Sequence, residues 1–301
     1  YSLNNYCVSG LTAIGQAAQM IEAGTAATAL AGGVEMMSRV PFMGDKADYY
    51  ADADFPHRTR YIPVVVAADR LAEDIGVSRQ EMDEAALASQ QKTAAAEGTP
   101  LVASRIAVNG LDREEPGRAS TTADSLAAME PAFAPLGEQY AEALNGRKID
   151  HRHTVAHAPP MCDGAAVALV TGDAEGARAR IVAYAEAGGD PAASLTAGFT
   201  AMDKALARAG LTLADMDRIE FMEAFAVTVV KFLKEREVDV ARVNVGGGHM
   251  AKGHPMGATG AILLSSLLDA LDASQGRYGL VVAAGAQGVG AAMVVERLDR
   301  A

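Results

Sequence analysis

The amino-acid sequence predicts an α/β fold, in which helices pack on sheets. Short apolar runs bounded by glycine alternate along the chain with longer segments of helical periodicity, an order typical of α/β proteins. Half of the 301 residues are hydrophobic, which is enough for one large or two medium domains with cores of their own. Glycine is frequent and tryptophan is absent, so small side chains are expected to bring helices close to the sheets.

The first elements form a helix, a strand and a loop. Residues 11–23 carry apolar positions at helical spacing, and Gly24 ends the run. The apolar run Ala27–Ala31 predicts a buried strand, which the pair Gly32 and Gly33 closes before a tight loop over 34–38. This order indicates a parallel sheet.

Residues 41–150 have a different texture, in which aromatic, charged and turn residues mix. Helices are predicted at 64–74, 78–97 and 120–129, and Ser78 with Glu81 forms a capping box. We interpret this region as an inserted, mostly helical lobe. Beyond it the pattern predicts strands at 165–171, 179–187 and 218–222. It also predicts a helix at 200–209, a second helix that ends near 236 and a third that ends at 271. The strands 279–284 and 291–296 are predicted to form a closing antiparallel hairpin.

Charge and cysteine content exclude several classes of protein. The net charge of −12 argues against a nucleic-acid or anionic-membrane partner, because both require basic surface. No apolar stretch of membrane-spanning length is free of charge and glycine, so no membrane span is predicted. The two cysteines have neither metal-ligand spacing nor a disulfide framework, which indicates a cytoplasmic protein.

Cys7 is the first candidate for chemistry. It is followed by a small residue and a glycine where a helix opens, a place where backbone N–H groups and the helix dipole can stabilise a thiolate. A buried structural cysteine is the alternative. Cys162, which precedes Asp163 at a strand start, is interpreted as structural.

His254 is the second candidate. It lies between Gly253 and Pro255 in a glycine-rich segment whose spacing matches neither a dinucleotide fingerprint nor a Walker loop. An imidazole on such a constrained turn can act as a base for a cysteine or donate a hydrogen bond to a thioester oxygen, and a structural role is the alternative.

Basic clusters and histidines offer further candidates. The basic residues could hold phosphates on this acidic protein, although solvated surface is the alternative: Arg58, Arg60, Arg147 and Lys148. A metal at His151, His153 and His157 lacks a confirming ligand pattern, so no metal site is predicted.

Taken together, the motifs resemble the thiolase family, in the order that the family has them and over nearly the whole chain. The segments that carry the resemblance are Asn5–Leu11, Ala31–Ser38, Asp163–Ala166, Glu223–Ala226, Asn244–Gly260 and Gly288–Met293. The resemblance implies two homologous α/β halves with a loop domain inserted in the first. The expected boundaries are 1–40 and 151–175 for an incomplete N-terminal half, 41–150 for the loop domain and 176–301 for the C-terminal half.

The resemblance also implies a reaction. Thiolases carry the acyl group on the cysteine at the position of Cys7, and a histidine at the position of His254 activates it. The oxyanion would be held by the backbone N–H groups of Cys7 and of the turn near Ala286. Coenzyme A would be a substrate, with no further cofactor, and the protein is expected to be a homo-oligomer, a dimer or tetramer.

Three departures from the family pattern limit this expectation. The second catalytic cysteine of thiolases is matched by Ala284, which carries no proton, and the asparagine or histidine before Glu-Ala-Phe is matched by Met222. The segment that precedes the nucleophile in thiolases is absent from this sequence. If the chain begins at Tyr1, we expect an exposed edge or apolar face that a partner covers, and a processed piece of a longer chain is the alternative.

These departures leave several hypotheses open. Acyl-enzyme formation at Cys7 needs only the groups that remain, whereas the thiolytic or Claisen step would need a substitute such as His249 or Gln287. A non-catalytic thiolase-like subunit and an acyl-CoA thioester hydrolase are the alternatives. The region 193–205 lacks the proline-containing pattern expected of the family, and the acyl chain is not predicted.

Overall fold

A computed structural model describes residues 1–51 and 60–299 and has the predicted α/β fold. Its strands are β1 Thr28–Met36, β2 Asp163–Thr171, β3 Ala179–Gly188, β4 Arg218–Phe221, β5 Tyr278–Gly285 and β6 Val289–Arg297. Its α-helices are α1 Ser9–Glu22, α2 Val64–Asp74, α3 Arg79–Ala96, α4 Ala123–Ala127, α5 Ala134–Gln139, α6 Ala197–Ala209, α7 Ala226–Glu235, α8 His249–Lys252 and α9 Thr259–Ser274.

The strands form two sheets. β1 and β2 make an antiparallel pair, and the second sheet has the order β3-β6-β5-β4. Only β4 and β5 run parallel, whereas β3 with β6 and β5 with β6 are antiparallel. The predicted closing hairpin is confirmed. The prediction of a parallel sheet at the start of the chain is wrong, because β1 pairs antiparallel with β2, which follows helices α2 to α5 in the chain.

The pair Gly32 and Gly33 lies inside β1 and does not end it, contrary to the prediction. Both glycines permit close approach of other chain segments. A side chain on Gly33 would come within 2.6 Å of the Gly257 carbonyl oxygen, and one on Gly32 within 2.0 Å of that of Ala166. The glycines therefore let β1 lie against β2 and against the turn that follows His254.

Helices α2 to α5 lie between β1 and β2 in the chain. The capping box at the start of α3 is confirmed, with the Ser78 hydroxyl accepting from the Glu81 N–H and Glu81 bonding the Ser78 N–H. The helix predicted at 120–129 is shorter, because Thr122 caps it and it spans only Ala123–Ala127. Helix α5 was not predicted; it is short and has a proline in its first turn.

Helix α9 lies between the two sheets and contacts β1, β2, β4 and β5. Within the described part of the chain, the helical stretch Met256–Ser274 is long and apolar enough to cross a membrane, but 56% of it is buried inside the protein. A core helix has the same properties.

One face of the β1–β2 pair packs on α1 and α9, and the opposite face is exposed and apolar. Along β1 the outward side chains of Leu30 and Val34 are 76% and 68% exposed, and on β2 those of Val167 and Leu169 are 72% and 67% exposed. Exposed apolar area of this kind is typical of a surface that another element or chain covers.

Candidate active site

Cys7 lies in the turn that leads into α1. Its neighbour Tyr6 has a positive φ of 50°, and the Ser9 hydroxyl holds the turn by donating to the Tyr6 carbonyl (2.6 Å) and accepting from the Asn5 N–H (2.8 Å). Helix α1 begins at Ser9, so the thiol stands at the helix entrance. Cys7 is half-buried.

Burial outweighs the groups that favour a Cys7 thiolate. Desolvation raises the pKa of the Cys7 thiol to about 11, although the N–H groups of Ala286 and of Cys7 itself lower it, and the Glu35 charge raises it further. The resting cysteine is therefore a neutral thiol at neutral pH. Its activation requires a base within the site.

His254 is held at two atoms. Its backbone N–H donates to the Pro160 carbonyl (2.8 Å), and its ring Nδ1 lies 2.7 Å from the Thr259 hydroxyl. Burial lowers the pKa of His254 to about 4, so the imidazole is neutral at neutral pH. A neutral imidazole is the form that can accept a proton.

Cys7 and His254 line the same cavity, whose volume is about 1340 Å³. Met256, whose Sδ is 3.9 Å from the Cys7 sulfur, is part of the same wall. The segments 40–43 and 133–161 contribute apolar side chains to this wall: Val40, Phe42, Met43, Phe133, Leu136, Tyr140 and Met161. The cavity can therefore take a bulky apolar group next to the thiol.

The turn after β5 approaches the nucleophile closely. The backbone N–H groups of Ala286 and of Cys7 itself lower the pKa of the Cys7 thiol. Gly285 permits this approach, since a side chain there would lie 3.2 Å from the Cys7 nitrogen. Backbone N–H groups beside a thiol are the kind of donor that can stabilise an oxyanion.

Ala284 and Met222, the two residues that depart from the expected catalytic pattern, have different surroundings. Ala284 lines the cavity and brings a methyl group to the wall. Met222 is only 2% exposed and packs in the core beside β4, outside the cavity wall. Neither side chain can donate or accept a proton.

His249 and Gln287, the residues predicted to substitute for the second catalytic cysteine, lie outside the set of residues that line the cavity. The His249 ring packs edge-on against the His254 ring at a centroid distance of 5.9 Å, and its Nδ1 is buried without a hydrogen-bond partner among the described residues. Burial lowers the pKa of His249 well below its usual value. The Gln287 side chain accepts a hydrogen bond from the Tyr49 hydroxyl (2.8 Å). Neither residue lines the cavity in the described structure.

A buried polar cluster that sequence reasoning missed holds the glycine-rich segment. The Glu223 carboxylate accepts from the Ser89 hydroxyl (2.6 Å), the Asn244 amide (3.0 Å) and the Met250 N–H (3.1 Å). The Asn244 side chain also pairs with both backbone groups of Phe221, at 2.7 and 2.9 Å. The signal in the sequence that could have revealed this cluster is a Glu and an Asn inside otherwise apolar or glycine-rich motifs.

Of the four predicted phosphate-binding residues, the three that the structure describes do not line the cavity. Arg147 forms ion pairs with Glu73 (3.0 Å) and Asp74 (2.6 Å), and Arg60 lies 3.4 Å from Glu142. Lys148 is exposed, and Arg58 lies outside the described residues. Over residues 1–51 and 60–299, the cavity wall contains no arginine or lysine.

Three histidines in the segment 151–157 form pairs with carboxylates. The buried Asp69 accepts from the ring Nδ1 of His151 (2.7 Å) and of His153 (2.6 Å), and His157 Nε2 lies 2.7 Å from Asp83. These contacts fix the segment that carries Pro160. In the described ranges, no group of three or more such side chains could hold a metal ion.

Cys162 lies against the backbone of Gly253, where a side chain would come within 2.6 Å of its sulfur. Burial raises the pKa of the Cys162 thiol to about 11. This cysteine is absent from the described cavity wall, and no base contacts it among the described hydrogen bonds. Its position is consistent with the structural interpretation.

Comparison with known proteins gives matches over nearly the entire chain. The profile of the thiolase N-terminal domain matches residues 1–173, and that of the thiolase C-terminal domain matches residues 176–297. An acetyl-CoA acetyltransferase of Escherichia coli (strain K12) is 34% identical, with 99% of this chain and 79% of the relative aligned. A beta-ketoadipyl-CoA thiolase of Acinetobacter baylyi is 34% identical and an acetyl-CoA acetyltransferase of Rhizobium meliloti 35% identical, with the same coverage.

Proposed function

The chain belongs to the thiolase family, and we propose that it transfers acyl groups from coenzyme A thioesters through an acyl-enzyme on Cys7. The observation that carries the proposal is that Cys7 and His254 line one cavity, in which the backbone N–H groups of Cys7 and Ala286 favour the Cys7 thiolate. Coenzyme A enters as part of the substrate, as the names of the acetyl-CoA acetyltransferase relatives suggest.

In the acylation step, His254 accepts the Cys7 proton as the sulfur attacks the thioester carbon. The carbonyl oxygen gains negative charge, which the N–H groups of Cys7 and Ala286 stabilise. When the tetrahedral intermediate collapses, the carbon–sulfur bond to coenzyme A breaks, and the leaving thiolate takes the proton from the imidazolium. The products are S-acyl Cys7 and free coenzyme A, with His254 again neutral.

The second half-reaction is limited by Ala284. A methyl group there can neither remove a proton from an incoming acyl-CoA nor donate one to a leaving carbanion. Loss of such an acid or base typically slows a reaction by about 100-fold to 10,000-fold. Transfer of the acyl group to a thiol needs only His254 and is expected to be faster than carbon–carbon bond formation.

Two alternatives remain from other classes. A non-catalytic thiolase-like subunit is favoured by the apolar residues at positions 222 and 284 and opposed by the intact pair of Cys7 and His254. An acyl-CoA hydrolase would use water in place of the acceptor thiol.

Release of coenzyme A after mixing with an acyl-CoA distinguishes these functions. The proposal predicts a burst that approaches one coenzyme A per chain, followed by turnover only when an acceptor thiol is added. Steady release without an acceptor would identify a hydrolase, and no release above that of Cys7→Ala would leave the non-catalytic subunit. A series of acetyl, medium-chain and branched acyl-CoA thioesters gives the chain preference.

We also propose the assembly and domain organisation that the sequence indicated. The boundaries at 40, 150 and 175 fit helices α2 to α5 lying between β1 and β2. The exposed apolar face of β1 and β2 supports a covering partner, within a homo-oligomer of two or four chains. A cytoplasmic location fits the two free thiols. Arg60, Arg147 and Lys148 remain the proposed contacts for coenzyme A phosphates.

A further inference from the structure

The geometry points to Thr259 as a positioning residue for His254. Its contact with Nδ1 orients the ring so that Nε2 is the nitrogen available for proton transfer in the cavity. This inference rests on the proposed role of His254 as the base for Cys7. Thr259 is the first residue of α9 and is fully buried. Its hydroxyl lies 2.7 Å from His254 Nδ1 and has no other hydrogen-bond partner among the described residues.

Two hydrogen bonds position His254, one at its backbone and one at its ring. The His254 N–H is tied to the Pro160 carbonyl, so the backbone of the loop cannot move freely, and Thr259 then fixes the rotation of the ring. His254 Nε2 has no hydrogen-bond partner in the described part of the chain, whereas the residue lines the cavity with Cys7. The nitrogen available for proton transfer is therefore defined by the bond that the other nitrogen makes.

A threonine hydroxyl suits a base that must change its protonation state. When Nε2 is to accept the Cys7 proton, Nδ1 must carry hydrogen, and the Thr259 oxygen then accepts a hydrogen bond from it. In the imidazolium the same bond is retained, so no side chain has to move during the transfer. The hydroxyl is uncharged, so it orients the ring without creating a buried ion pair with the imidazolium.

The test uses a nearly isosteric change. Thr259→Val removes the hydroxyl and keeps the shape, Thr259→Ser keeps the hydroxyl, and Thr93→Val is the matched control. Thr93 is a buried helical threonine whose hydroxyl has no partner among the described residues and lies outside the cavity wall. All variants are made with Cys162→Ala, so that Cys7 is the reacting thiol.

The first readout is the tautomer of His254, from long-range ¹H–¹⁵N correlations at pH 7 on protein labelled with ¹⁵N-histidine, assigned by comparison with His254→Gln. We expect the Nδ1–H form in the wild type and in Thr259→Ser, and a shift toward the Nε2–H form in Thr259→Val. The second readout is the rate of Cys7 alkylation by iodoacetamide between pH 6 and 9. We expect Thr259→Val to be slower by about tenfold to 100-fold, and Thr259→Ser to be within about threefold of the wild type.

The inference is overturned if Thr259→Val keeps the wild-type tautomer and alkylation profile, or if Thr259→Ser loses both as fully as Thr259→Val. If Thr259→Val does not fold, Thr259→Ala is compared with Thr259→Ser by the same criteria. Neither readout uses an acyl-CoA. Failure of the wild type to form an acyl-enzyme would therefore contradict the proposed function while leaving the positioning role supported or overturned by its own data.

Discussion

The Glu35 carboxylate accepts a hydrogen bond from the Gly257 N–H at 2.8 Å and thereby joins β1 to the turn that follows His254. The two residues lie in different family domains, since Glu35 belongs to the segment that matches the N-terminal domain and Gly257 to the segment that matches the C-terminal domain. The same carboxylate places a negative charge near Cys7. One side chain thus joins β1 to the turn after His254 and raises the pKa of the Cys7 thiol.

Replacing Glu35 separates its two effects. Glu35→Gln keeps an acceptor for Gly257 but removes the charge, so the pKa of Cys7 falls and iodoacetamide alkylation at pH 8 should become about twofold to fivefold faster. Burial remains the main cause of the raised pKa, which is why the gain is small. Glu35→Ala loses the hydrogen bond and should lower the free energy of unfolding by about 1–2 kcal/mol in urea titrations. Glu175→Gln, at an exposed loop, is the control. Slower alkylation of Glu35→Gln would show that its charge does not oppose the thiolate.

A second prediction concerns Glu220, a buried carboxyl on β4. Burial raises its pKa to about 7, and the Glu223 charge adds to the rise, whereas Lys252 and Lys92 lower it. Because the folded state binds this proton more tightly than the unfolded state, the stabilisation is fully present below pH 4.5 and is lost as the pH rises to about 7.

Glu220→Gln removes this contribution to the pH dependence of stability. Relative to the wild type, the variant should gain on the order of 3 kcal/mol in free energy of unfolding between pH 4.5 and pH 8. Urea titrations at several pH values measure the difference. A constant difference between wild type and variant would contradict the raised pKa.

A third prediction concerns the position of the second family cysteine. Ala284→Cys places a thiol on the cavity wall that Cys7 shares. We expect the rate of thiolysis of a 3-ketoacyl-CoA to rise by about 100-fold or more over the parent chain, because an acid and base is restored to the carbon–carbon bond step. Cys7→Ala combined with Ala284→Cys is the control and should be inactive. No gain in a folded variant would mean that further differences, such as Met222, also block this step.

Much of this fold could be predicted because its strands and helices follow local apolar patterns. Helices α1, α2, α3 and α9 and the β5–β6 hairpin were found in this way. The role of Gly32 and Gly33 could not be predicted, because a glycine inside a strand and a glycine that ends a strand look alike in sequence. What distinguishes them is the proximity of Gly257 and Ala166, which are remote in the chain.

The site was predictable at the level of motifs and less so at the level of electrostatics. Cys7, His254 and the turn at Ala286 were named from the sequence, and they line one cavity. The sequence favoured a stabilised thiolate at a helix start, whereas burial holds the thiol neutral. Burial depends on how segments that are remote in the chain pack together, which local sequence patterns do not show.

Mass spectrometry of the intact and digested chain after incubation with acetyl-CoA tests the central claim most directly. The account predicts one acetyl group per chain, on the peptide that contains Cys7, which persists in Cys162→Ala and disappears in Cys7→Ala. The His254→Gln variant should acquire the acetyl group at least about 100-fold more slowly than the wild type. A folded wild-type chain that acquires no acetyl group from any acyl-CoA tested, or that acquires it on Cys162, would contradict the account.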